Sequence, residues 1–209
     1  PPRSTLFPYT TLFRSFKRCN LEYPVNLKIE YPEKSNKSTA LFRLVLIIPI
    51  ILILALICSY AEALSIAVAL MIIFKEKYPK WWFDWNVGIT KFIYRIAAYG
   101  LLLRDEYPST DDEQAIQVDL PYPDVKKDLN RWKPLVKWIL VIPHIIVLIF
   151  IFIAVVFCTV FAWFAILFTG RYPKVIFDFV EGFLRWSLRV NAYAILLTTD
   201  EYPPFRLGE

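Results

Sequence analysis

Hydrophobic and polar positions alternate in two different rhythms along this chain, and each rhythm occurs twice. Val25-Asn-Leu27-Lys-Ile29-Glu-Tyr31-Pro32 and Ile116-Gln-Val118-Asp-Leu120-Pro-Tyr122-Pro123 alternate with period two and stop at proline, the pattern of a half-buried strand. After each comes an apolar run, Leu44 to Phe74 and Trp138 to Thr169, of 31 and 32 residues. As helices these would be about 46 to 48 Å long, against a hydrocarbon core of about 30 Å. Each length fits one tilted or bent span, because two crossings need about 40 residues and a polar turn that neither run contains. Pro49 and Pro143 lie near the starts, where a kink is cheapest, and Glu62 is the one charge in either run.

A tight turn at Tyr78-Pro79 or Tyr172-Pro173 then leads into a second helix of different character. At 100° per residue, Asp84, Gly88, Lys91, Arg95 and Tyr99 fall within about 80° of arc, and so do Asp178, Glu181, Gly182, Arg185, Arg189 and Tyr193. The remaining surface is apolar or aromatic apart from Asn86, Thr90, Ser187 and Asn191. Each copy leaves through an acidic Tyr-Pro exit, Asp105-Glu106-Tyr107-Pro108 or Asp200-Glu201-Tyr202-Pro203.

One unit is therefore written twice. Residues 41–103 lie on 135–197 at a constant offset of 94, and the strand segments match at an offset of 91. Residues 16–108 form the first membrane repeat and 109–209 the second. Residues 1–15 are set aside, since Thr5 to Ser15 is the codon-for-codon translation of what resembles a sequencing adapter. The predicted fold is an all-α membrane protein of two tandem repeats of two helices each, about four membrane helices, with short β segments before each repeat.

Composition agrees with a membrane class: 57% of the chain is hydrophobic and 17% aromatic, above the roughly 45 to 50% apolar content of soluble domains. Four crossings would place thirteen Lys and Arg residues on the side of the strands, linker and tail and five on the other, so both termini are expected to be cytoplasmic. Against this, central charges cost about 2.5 to 3.5 kcal/mol each in lipid, while apolar residues return only about 0.3 to 0.6. The second helices could instead lie flat as amphipathic anchors. In the four-crossing arrangement an axis along the membrane normal relates the repeats, and the stripes are expected to pair with one another or with a flanking helix.

Candidate chemistry is sparse. Five glycines leave little for phosphate cradles, and Cys19, Cys58 and Cys158 have neither disulfide nor metal-ligand spacing. His144 is the only histidine, opposite Ile50 in the first copy, which rules out a histidine-based metal site or relay and suits an interfacial or core role. Trp132 and Trp138, with other Trp and Tyr residues at the ends of the runs, are candidate interface residues of an aromatic belt. The stripe residues are the candidate polar site, either a path or anionic-headgroup site or a neutralised helix interface. No cofactor, catalytic residue, metal site or nucleic-acid partner is expected.

Arg131-Trp132, Leu140-x-Ile142-Pro143-His144, Ala162-Trp163-Phe164, Leu167-Phe168-Thr169-Gly170-Arg171-Tyr172-Pro173, Phe177-Asp178-Phe179, Arg185-Trp186, Ala192-Tyr193 and Tyr202-Pro203-Pro204-Phe205 together resemble the bacterial membrane family known as domain of unknown function 4389. The resemblance covers essentially Leu21 to Leu207 as two copies. The first departs at Ile50 and at Lys75-Glu76-Lys77, which stands for the Thr-Gly-Arg turn. It implies a multi-pass protein of the bacterial cytoplasmic membrane and no established activity. The leading expectation is a non-enzymatic module that binds the lipid bilayer, anionic lipid or another membrane protein. The alternatives are a small homo-oligomeric channel or carrier lined by the stripes and, in third place, a membrane-embedded enzyme.

Overall fold

The computed structural model describes residues 23–110 and 114–208, without the side chains of residues 44, 57–64, 126 and 128. Residues 1–15, Cys19 and the side chains of Cys58 and Glu62 thus lie outside the described residues. Strand β1 (Asn26–Ile29) precedes helices α1 (Lys37–Lys75) and α2 (Lys80–Gly100). Strand β2 (Ile116–Asp119) precedes α3 (Val125–Asp128), α4 (Lys133–Leu140), α5 (Ile142–Thr169) and α6 (Lys174–Ala194). The fold is mostly helical, in two copies, as the two rhythms predict.

Local chemistry sets the boundaries. Asn36 caps α1 by accepting from the Ser38 and Thr39 N–H groups at 3.0 and 3.4 Å. Proline breaks the long helices where its ring meets the carbonyl four residues back. Pro49 stands just past a 51° bend between Lys37–Arg43 and Val45–Leu56, and Pro143 just past the break at Val141 that separates α4 from α5. Both α1 and α5 end in a left-handed residue, Glu76 at φ 49° and Gly170 at φ 73°, whose N–H turns back to Ile72 and Ile166.

The strands form an antiparallel pair in which Leu27 faces its own repeat counterpart, Val118. The axis relating the repeats therefore passes through that pair. It also passes between α2 and α6, where the Tyr94 and Ser187 hydroxyls meet at 2.8 Å. In the lowest tier, α1 lies antiparallel to α4 and α5. Ser35 N–H donates to the Gly170 carbonyl at 3.0 Å, Trp163 Nε1 to Ala40 at 3.1 Å, and Arg131 Nε, at the opposite end, to Ile73. The molecule is thus three tiers: sheet, amphipathic helices, long apolar helices.

This arrangement does not support the expected topology. Four crossings about an axis along the membrane normal require the long helices to run parallel, and they run antiparallel. The connection from α2 to α4 also starts beside one end of the pair and finishes beside the other. Arg43 holds Tyr99 and Asp105 near the start of α1, while Arg131 holds Ile73 near its end, about 45 Å away at 1.5 Å per residue. That connection carries Asp105, Glu106, Asp119 and Asp124.

Among the described residues one helical stretch, Lys133–Thr169, is long and apolar enough to cross a membrane, with 11% of its most apolar stretch buried, and the bent pair Lys37–Arg43 and Val45–Leu56 makes a second when taken as one span. The buried positions of α5, His144, Val155, Ala162 and Ile166, form one strip turned to the protein. Phe150, Phe157, Phe161 and Phe168 are among the side chains left bare at 64 to 79% exposure.

Candidate functional site

Each stripe faces a strand rather than the other stripe, and the strand belongs to the other repeat: α6 lies under β1 and α2 under β2. On α6 the stripe is closed. Glu181 Oε1 accepts from the Ile29 N–H at 3.0 Å, Arg185 Nε donates to the Leu27 carbonyl at 3.0 Å, and the two side chains pair with each other at 2.9 Å. Their spacing of four is the one expected for a pair within a helix. The C-terminal segment covers the rest. Arg185 and Arg189 donate to the Leu207 and Arg206 carbonyls, and Leu207 sits on Gly182, where a Cβ would come within 2.9 Å of its carbonyl oxygen. Arg185 and Arg189 are 8% and 2% exposed, so these cations are closed off from solvent.

On α2 the same positions remain open. Lys91 is exposed, Arg95 half-buried, and Val87 stands where α6 has Glu181. Between α2 and the sheet lies a cleft of about 490 Å³ lined by Lys28, Lys91, Arg95, Gln114, Gln117 and Asp119 together with Asn26, Ile116 and Val118. Arg95 Nη1 donates to the Ser109 carbonyl at 2.5 Å, and its buried Nε has no hydrogen-bond partner among the described residues. Beside the cleft, burial raises the Glu106 carboxyl, but bonds from Arg104 and the Ala115 N–H, with the Arg95 charge nearby, hold it below the ordinary carboxylate range.

Asp84 and Asp178 are exposed one turn into their helices, and Asp178 pairs with Lys174 at 3.3 Å. Among the described residues neither pairs with the basic stripe positions, and no ion pair joins stripe to stripe. Tyr99 and Tyr193 are buried under cations that sequence reasoning missed. Arg43 stands 4.5 Å from the Tyr99 ring centre and pairs with Asp105, while Lys137 stands 5.1 Å from Tyr193 and pairs with Asp200 at 2.7 Å. The signal was available, because both cations and both aspartates occupy matching places in the two copies.

His144 is fully buried, a core residue rather than an interface one. Trp186 Nε1 donates to its Nδ1 at 3.2 Å, and Phe205 from the C-terminal segment stacks on it at 3.8 Å between ring centres. Trp138 Nε1 donates to the Ala194 carbonyl at 2.9 Å, and Trp132 is 62% exposed at the start of α4. Among the described residues no group of His, Cys, Asp and Glu could hold a metal ion.

Comparison with curated proteins and with solved structures returns no match. The family described as domain of unknown function 4389 matches residues 37–110 and again 131–206, and the duplicated bends, turns and acidic exits fall inside those two stretches. The chain belongs to this family, as two tandem copies of its domain.

Proposed function

We propose that this protein is a non-enzymatic membrane module that lies along one leaflet. The antiparallel apolar helices sit in the acyl region, α2 and α6 lie at headgroup depth, and the sheet stands in water. The observation that carries this reading is the bare surface of α5 on the side away from the charged connection. If α1 and α5 crossed the bilayer, that connection and the sheet, with Lys28 and Asp119 exposed, would lie at the depth of the helix midpoints. Hydrocarbon does not accept open sheet edges and exposed charges. Laid flat, the same tiers meet acyl chains, headgroups and water in turn.

Cations at both ends of the long pair suit an anionic surface. Lys34, Lys37, Arg171 and Lys174 are exposed at one end, and Lys75, Lys77, Lys80, Arg131 and Lys133 at the other. Each such residue near an anionic membrane contributes about 1 kcal/mol, which supports reading the anionic cytoplasmic leaflet as the module's surface.

The test is depth. With the native cysteines replaced by alanine, Ile146, Phe157 and Phe168 are changed singly to cysteine, labelled with a fluorophore, and quenched by lipids carrying quenchers at different acyl depths. Equal depth at all three positions supports the flat placement. A shallow, deep, shallow series would establish a crossing helix and end it. Binding to vesicles should also fall when anionic lipid is replaced by phosphatidylcholine.

A further inference from the structure

We infer that the outer edge of β2 is a docking edge for an extended acidic segment of a partner protein. In this ladder Asn26, Lys28 and Glu30 point their backbone groups at β2, as the Glu30 N–H to Ala115 carbonyl bond shows, so Leu27 and Ile29 point theirs outward. By the same parity Ile116 and Val118 turn their N–H and C=O groups to the outer side of β2. On β1 the outward groups are closed by Glu181 and Arg185. On β2, among the described residues, no hydrogen bond closes them. The counterparts of the two capping residues are Val87, which has nothing to offer an N–H, and Lys91, which is exposed.

A bare strand edge pairs with another strand wherever one fits, and the peptide ladder supplies affinity while alternate side chains supply selectivity. Here the edge borders the cleft, where Lys28, Lys91 and Arg95 stand against Asp119, the one acid among the described lining residues. That charge balance selects a segment with acidic side chains at alternate positions, turned toward α2. The peptide reproduces from outside what Glu181 does for β1 from within.

The probe is a fluorescein-labelled ten-residue peptide alternating glutamate with valine, titrated by anisotropy against the full chain in neutral detergent micelles, where membrane placement has no influence. Binding is expected. Val87→Glu with Lys91→Arg, which transplants the α6 cap onto α2, should weaken it at least tenfold while the thermal midpoint holds or rises. A peptide N-methylated on alternate residues, which cannot complete the ladder, should lose at least tenfold on the unaltered protein, so the result does not depend on the variant folding. The inference falls if the alternating peptide does not bind, if N-methylation or the transplanted cap leaves binding unchanged, or if glycerol 3-phosphate displaces the peptide, which would mark a headgroup site.

Discussion

The two second helices start from one pattern and end in opposite states. On α6 the cations are buried, bonded to a strand edge and overlaid by the C-terminal segment; on α2 their counterparts border an open cleft. Two residues account for much of the difference. Glu181 gives Arg185 a partner and β1 an acceptor, whereas Val87 gives Lys91 neither. Duplication kept the scaffold contacts on both sides. Tyr31 OH donates to the Tyr172 carbonyl and Tyr122 OH to the Tyr78 carbonyl, each strand locking onto the turn of the other repeat. Divergence fell on the stripe, where one copy became structure and the other stayed available.

The largest expected effect separates the copies directly. Arg185→Met leaves Glu181, 13% exposed, as an uncompensated buried charge, which costs about 3 to 5 kcal/mol. The equivalent Lys91→Met removes an exposed charge and should stay within about 0.5 kcal/mol. Thermal unfolding in detergent measures both, and similar losses in the two variants would erase the contrast.

A second substitution sharpens the assignment of partners. Adding Glu181→Leu to Arg185→Met should restore part of the loss, because the stranded charge is gone. Recovery stays incomplete, since the Ile29 N–H and Leu27 carbonyl are left unmet at about 1 to 3 kcal/mol per buried group. Adding Asp178→Leu instead should restore nothing, as that carboxylate is exposed and paired with Lys174. Rescue by Asp178→Leu would return the stripe to a long-range pairing that the structure does not contain.

His144 marks another divergence, filled in the first copy by buried Ile50. His144→Ile makes the copies alike but strands the Trp186 N–H and removes a ring from the stack on Phe205, a loss of about 1 to 3 kcal/mol. A loss near zero, read from the same melts, would mean that the bond contributes nothing to fixing the C-terminal segment.

The duplication, the strands, the tight Tyr-Pro turns and the Glu181–Arg185 pair were legible because each rests on local spacing. Direction between helices was not. Period and hydropathy say how long Leu44 to Phe74 is, but the antiparallel seating comes from contacts such as Arg131 to Ile73, 58 residues apart. The stripes misled for the same reason: an arc on a helical wheel shows which side chains share a face and leaves its partner undetermined. The strands that cover them were read correctly as strands, and their exchange between repeats is a tertiary fact. Arg43 and Lys137 were overlooked because a cation bordering an apolar run resembles an interfacial flank.

The smallest expected effect concerns the turn that ends each long helix, where both copies adopt the left-handed conformation with different residues. Gly170 reaches φ 73° with no Cβ to crowd the following carbonyl, while Glu76 holds φ 49° against a cost of about 1 to 2 kcal/mol. Glu76 has one compensation, an exposed ion pair with Arg131 at 3.4 Å, and such pairs contribute about 0.2 to 1 kcal/mol. Strain therefore exceeds the pair. Glu76→Gly should raise stability slightly, by less than about 1 kcal/mol, because the relieved strain is offset in part by the lost pair and by the greater freedom of glycine in the unfolded chain. The reciprocal Gly170→Glu should lower it by at least as much, since the new side chain meets the strain and a Cβ stands 3.3 Å from Lys37 Cε. Chemical unfolding in the same detergent resolves the sign of each change. Destabilisation by Glu76→Gly would show that the Glu76–Arg131 pair, and not the backbone, determines how the first repeat ends its long helix.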